Sequence, residues 1–137
     1  MINLENTQHV LLETLDDCYE AGLSTPEELI ASPLKDKLMT AMYCWADFAA
    51  KQIAAHSWHS PLHGRMDPSD VAGDWLEHFW HRGRSDERPY PALRRLLQES
   101  RDPLYAMRFL NVSLRNRMLY RERMLEREDR MTGGSSA

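Results

Sequence analysis

Apolar residues recur along this chain at helical rather than strand spacing. The clearest case is DPSDVAGDWLEHFW, residues 67–80. Here Val71, Ala72, Trp75, Leu76, Phe79 and Trp80 fall as adjacent pairs four residues apart, which gathers them on one helical face. Asp70, Asp74, Glu77 and His78 are left on the other face. Asp67 is suited to the N-cap, Pro68 to the first helical position, and Asp70 to the positive end of the helix dipole. The spacing therefore predicts a helix with an aromatic stripe inward and an acidic strip outward.

The same reading gives the other elements. Val10, Leu11, Leu15 and Tyr19 predict a helix over 4–21, stopped by Gly22. Thr25-Pro26-Glu27-Glu28 is a capping box opening a short helix to about residue 31. After Ser32-Pro33, the stripe Leu34, Leu38, Ala41, Trp45, Ala49 and Ile53 predicts a long helix over 34–56. Residues 56–66 and 81–91 read as loops, rich in Ser, Pro, Gly and charge. Leu93, Leu96 and Leu97 predict a short helix over 92–99. Asp102-Pro103 opens the longest pattern, to about residue 131, with an inner stripe of Leu104, Met107, Leu110, Leu114, Met118 and Leu125. No run of alternating β-branched residues with hairpin turns interrupts these patterns, so the predicted class is all-α, a compact bundle of about five to six helices.

Composition narrows this only slightly. The 137 residues are 42% hydrophobic and 28% charged, ordinary for one globular domain with its own core. No window has the roughly 18 apolar residues that a membrane span needs, and the N-terminus lacks the pattern of a secretory signal. With two cysteines, Cys18 and Cys44, a reduced cytoplasmic protein is expected.

Charge changes the picture more. The net charge of −4 hides an asymmetry. Residues 1–33 hold seven acids (Glu5, Glu13, Asp16, Asp17, Glu20, Glu27, Glu28) and no Lys or Arg. Residues 103–131 hold seven arginines against four acids (Glu122, Glu126, Glu128, Asp129). The chain thus divides into an acidic helical segment (1–33), a helical domain (34–131) and a flexible tail (132–137). Two roles are open to the acidic segment: a helix completing the core, or a competitor that folds over the arginines.

On the last long helix, Arg108, Arg115, Arg123, Arg127 and Arg130 lie off the apolar stripe, and Tyr105, Phe109 and Asn116 share their arc. Arginine can neutralise phosphate, asparagine can read a base edge and an aromatic ring can stack on an unpaired base. A solvated face of intrahelical ion pairs is the competing explanation. His56, His59, His63, His78 and His81 raise a zinc site, but no paired cysteines accompany them. Neither a metal nor a cofactor is expected, and no nucleophile–base pairing or phosphate loop points to an enzyme.

Two motifs together resemble region 2 of bacterial RNA polymerase sigma factors of the extracytoplasmic-function type. In that family an Asp-x-x-Asp start leads into Asp-Leu-Val-Gln-Glu and ends in Phe…Trp; Asp70, Val71, Ala72, Gly73, Asp74 and Trp80 occupy those places. About thirty residues on, FLNVSLRNRMLYRERM (109–124) is similar to the promoter-reading helix, with Ser113, Arg115, Asn116, Arg117 and Leu119 at matching places. Gly73 stands for the family's Gln, and Tyr120 for an Asp. The resemblance covers about 34–128.

It implies a sigma region 2-like bundle and a sigma-like transcription factor that binds core RNA polymerase at the β′ clamp and recognises or opens a −10-type promoter element. Asp70, Gly73, Asp74, Glu77 and His78 would meet polymerase. Tyr90, Arg94, Arg95, Tyr105, Arg108, Asn111, Arg115, Asn116 and Arg123 would meet promoter DNA, including the single-stranded −10 region. A −35-reading region 4 domain is not expected within these residues, which leaves open whether an accessory protein supplies those contacts. The alternatives are a phage-type polymerase-binding protein that occupies the sigma site and inhibits or redirects host transcription, and an unrelated helical interaction module.

Overall fold

The computed structural model describes residues 3–56, 67–81, 90–99 and 102–132. Among these residues six helices follow in order: α1 (Leu4–Glu20), α2 (Pro26–Ile30), α3 (Leu34–His56), α4 (Pro68–Phe79), α5 (Pro91–Glu99) and α6 (Pro103–Thr132). No strand occurs among the described residues, and the class is all-α. No described helix is long and apolar enough to cross a membrane. The histidine loop at 57–66, including His59 and His63, the charged loop at 82–89 and the tail at 133–137 lie outside the described residues.

Helix ends follow local chemistry. Asn3, Thr25 and Asp67 each accept a backbone N–H through the side chain, from Asn6, Glu28 and Ser69. Asp102 does the same for the N–H of Leu104 at 3.0 Å. α1 ends in a Schellman motif. Gly22, at φ 74°, donates its N–H to Tyr19, and Leu23 donates to Cys18. That left-handed position suits glycine, because a Cβ there costs roughly 1–2 kcal/mol.

One core draws on all six helices. Trp75 of α4 is its centre, 0% exposed, with Trp45 of α3 edge-on at 5.7 Å and Phe79 at 5.3 Å. Phe79 in turn meets Phe109 of α6 at 5.9 Å. The Trp75 indole N–H is satisfied by Ser113 Oγ at 2.9 Å, so the ring is buried without an orphaned donor. At the start of α4, Ser69 donates to Asp47 of α3 at 2.6 Å and Lys51 reaches the same carboxylate. These contacts fix α4 between α3 and α6.

Two predicted core positions are exposed. Val10 is 48% exposed, because Thr7 and Thr14 take the inner face of α1. Each threonine hides its hydroxyl by donating to a carbonyl of its own helix, Leu4 and Val10 respectively. Leu104 is 83% exposed: it stands in the first turn of α6, short of the core, and Met107, one turn on, is the first of its stripe to be buried. Tyr19, Leu34, Ile53, Leu76, Trp80 and Leu125 of the predicted stripes are partly buried.

The acidic segment is part of the fold. Leu11, Leu15 and Cys18 of α1 and Leu29 of α2 are buried in the common core. Glu5, Glu13, Asp16 and Glu20 face outward, and Asp17 pairs with Lys37 of α3 at 3.2 Å. Burial raises the Cys18 thiol to about 11, which keeps it protonated and unreactive at neutral pH.

Candidate nucleic-acid interface

α6 carries two stripes. Ala106, Met107, Leu110, Leu114 and Met118 face the core. Tyr105, Arg108, Phe109, Val112, Asn116 and Tyr120, again three to four residues apart, form a second stripe. With the end of α4 and the start of α5, that second stripe encloses a groove of about 940 Å³. His78, His81, Arg95, Ser113 and Arg117 complete its polar lining, and no described residue lining it is acidic.

The groove's cations lie against its rings. The Arg95 guanidinium sits 4.9 Å from the Phe109 ring centre and donates to the Tyr105 hydroxyl at 2.9 Å. The Arg117 guanidinium lies 4.6 Å from the Tyr120 ring centre. Such stacks present a flat surface and N–H donors at once, which suits an unpaired base with its phosphate. Arg108 is exposed on the same wall.

The predicted DNA-binding residues sort into two sets. Arg95, Tyr105, Arg108 and Asn116 come together in the groove. The other five do not line it. Arg94 turns away, because its Nη2 pairs with both carboxylate oxygens of Glu27 at 3.2 and 3.3 Å, holding α5 to α2. Tyr90 packs partly buried against the core, and its carbonyl accepts from Arg94 at the start of α5. Its φ of 54° is the left-handed region, unusual for a bulky residue. Asn111 donates to the Met107 carbonyl at 2.9 Å, within its own helix. Arg115 and Arg123 are exposed on α6 or nearly so, and both stand outside the groove.

The predicted polymerase-facing strip also divides. Asp70 and Glu77 are exposed on α4. His78 lines the groove instead. Asp74 is turned to α6, where Arg117 donates to both its oxygens, Nε to Oδ2 and Nη2 to Oδ1 at 3.1 Å. Both side chains of this pair are about three-quarters or more covered. Gly73 is half-buried, and a Cβ on it would meet only Tyr43 Cε2 at 3.9 Å, an ordinary contact. Gly73→Ala is therefore expected to stabilise the fold by about 0.5–1 kcal/mol through helix propensity. A urea titration checks this: an unchanged or lower midpoint contradicts it.

Sequence reasoning passed over Arg117, Tyr120 and His81 as groove residues. The signal was there: positions 105, 108/109, 112, 116 and 120 keep helical spacing along a second arc. Among the described residues no group of three or more His, Cys, Asp or Glu is placed to hold a metal ion.

Two carboxyls and one imidazole make the fold acid-sensitive. Hydrogen bonds from Arg117 hold Asp74 below its ordinary 3.8. For Asp47, burial works upward, but the bonds from Ser69 and Lys51 outweigh it and the carboxyl again falls below 3.8. Burial and then the Arg117 charge lower His78 from 6.5. In each case the unfolded chain binds protons at a pH where the folded chain does not, so stability rises with pH. The two carboxyl contributions are present above pH 3.8 and lost as pH falls through the lowered values; the histidine begins to oppose folding below pH 6.5. Urea midpoints are expected to fall from about pH 7 to about pH 3, and Asp74→Asn to flatten the acid end of that curve. A pH-independent midpoint contradicts this.

No family model matches the chain, and neither does a curated protein or a solved structure.

Proposed function

We propose that this protein is a sigma-like transcription factor that docks on core RNA polymerase and holds an unpaired −10 strand in the groove between α4, α5 and α6. The observation that carries the reading is the groove's lining. Arg95, Arg108 and Arg117 stand among Tyr105, Phe109 and Tyr120, with Asn116 beside them and no acid among the described lining residues. Unstacking bases costs a few kcal/mol per step, and stacking on aromatic and guanidinium surfaces offsets it. The exposed Asp70 and Glu77 on α4 offer carboxylates to basic residues of the β′ clamp, as the resemblance to sigma region 2 implies.

Two arms test this. Purified chain is mixed with purified bacterial core polymerase, and β′ association is measured. Labelled single-stranded and duplex −10 oligonucleotides are then titrated by anisotropy. Co-purification with β′ and preference for the single strand support the proposal; absence of both sinks it. The net charge of −4 favours a second reading, in which the protein occupies the clamp and inhibits or redirects transcription without reading DNA. β′ association with no single-strand binding, and loss of run-off transcription, is the result that reading expects.

A further inference from the structure

We propose that Asp74 is a positioning residue for the groove, its carboxylate clamping the Arg117 guanidinium against the Tyr120 ring so that base-bearing strands are preferred over bare polyanions. This rests on the nucleic-acid reading above and adds a role that the acidic strip alone does not imply. The resemblance places Asp74 among residues facing polymerase, whereas its carboxylate is spent inside the protein, on α6. Asp70 and Glu77, four residues before and three after, remain exposed for an outside partner.

The geometry is specific. A guanidinium has five N–H donors in one plane. Asp74 takes one from Nε and one from Nη2. The rest share the plane that the bidentate pair fixes. That guanidinium lies 4.6 Å from the centre of the half-exposed Tyr120 ring, on the wall of the groove. Ser113, one turn before Arg117, is held by the Trp75 indole. The wall is thus tied to α4 at two successive turns, through a neutral bond and a charged one. An arginine fixed in this way loses little side-chain freedom when it meets a base edge. The carboxylate also cancels much of its charge, so Arg117 contributes direction more than field.

This gives a readout that electrostatics alone does not share. Removing the negative charge with Asp74→Asn raises attraction for any polyanion. Releasing Arg117 weakens only the contact with bases. The quantity to measure is the affinity ratio between a base-bearing single strand and an abasic strand of equal length, with folding checked by circular dichroism and melting. In Asp74→Asn the ratio is expected to fall about three- to tenfold. Arg117→Lys, which keeps the charge and loses the fork, is expected to lower it equally, and the double variant to be no worse than either single one. The Arg117 Nε–H resonance is expected to lose its ion-paired shift in Asp74→Asn. If Asp74→Asn does not fold, Asp74→Ser, which likewise removes the carboxylate that holds the fork, takes its place with the same expected fall in the ratio. A ratio that stays unchanged while both affinities rise together overturns the positioning role and leaves the groove reading standing. A wild-type chain that binds neither strand overturns both.

Discussion

Trp75→Ala is expected to lower the folding free energy by about 3–5 kcal/mol, the largest effect of any single substitution in α4. The ring is fully buried between Trp45 and Phe79, and its N–H is bonded to Ser113. Truncation leaves a cavity where α3, α4 and α6 meet and deprives the Ser113 hydroxyl of its donor. A domain of this size is stable by roughly 5–15 kcal/mol, so the variant is marginal, with its melting temperature down by more than about 10 °C. Trp75→Phe keeps most of the packing and loses only the polar bond, for about 1–3 kcal/mol. Thermal melts and urea titrations of the two variants check the order. Equal and small losses would mean that the aromatic cluster does not organise the bundle.

The second large effect concerns binding. Arg108→Ala with Tyr120→Ala is expected to weaken single-strand affinity by about ten- to a hundredfold, from one lost phosphate contact and one lost stacking surface of about 1–3 kcal/mol. The salt dependence should flatten as well, by about 0.7 in the logarithmic slope for each phosphate contact removed from a single strand. Both residues lie on the outer stripe of α6, away from the core, so the melting temperature should hardly change. Arg115→Ala and Arg123→Ala, outside the groove, should change affinity little. Asp70→Lys with Glu77→Lys should do the reverse of the groove pair, abolishing β′ association and sparing single-strand binding. If Arg115→Ala and Arg123→Ala are as damaging as the groove pair, binding follows the general charge of α6 rather than a site.

The helices were legible because their signals are local. Asp67-Pro68 and Asp102-Pro103 start helices because the Asp side chain caps an early N–H and Pro fits the first turn, and Gly22 ends one because it takes the left-handed position of the cap. The inner stripes of α3 and α4 were legible for the same reason, since 3.6-residue spacing leaves one buried face. Partners far apart in the chain were not legible. Glu27 lies 67 residues from Arg94, and Asp74 lies 43 from Arg117; neither pairing has a sequence signature. Spacing puts Asp74 on the polar face of α4, and that face borders α6 as well as solvent. Val10 and Leu104 show the converse: spacing marks a face, but not whether a neighbour reaches that far along it. Tyr90 and Arg94 stand where the family resemblance implies DNA contacts, while their local packing puts one against the core and the other on Glu27.

The acidic front of the chain is better understood through its core residues than its charge. Deleting residues 1–31 would remove Leu11, Leu15, Cys18 and Leu29 from the shared core, so loss of binding in that variant would report unfolding. Glu27→Gln is the cleaner probe of any electrostatic brake: it frees Arg94 and leaves the core intact. Single-strand affinity should hardly move in that variant, because Arg94 is not in the groove.

If one face of this bundle holds an unpaired strand while another holds polymerase, the two partners must bind together. The most direct test is anisotropy of a labelled single-stranded −10 oligonucleotide titrated with purified core polymerase, in the presence and absence of this chain. Tight binding is expected only when the chain is present, and is lost with Arg108→Ala and Tyr120→Ala while β′ association persists. Binding of the strand that is the same with and without the chain, or that survives the groove substitutions, would contradict it.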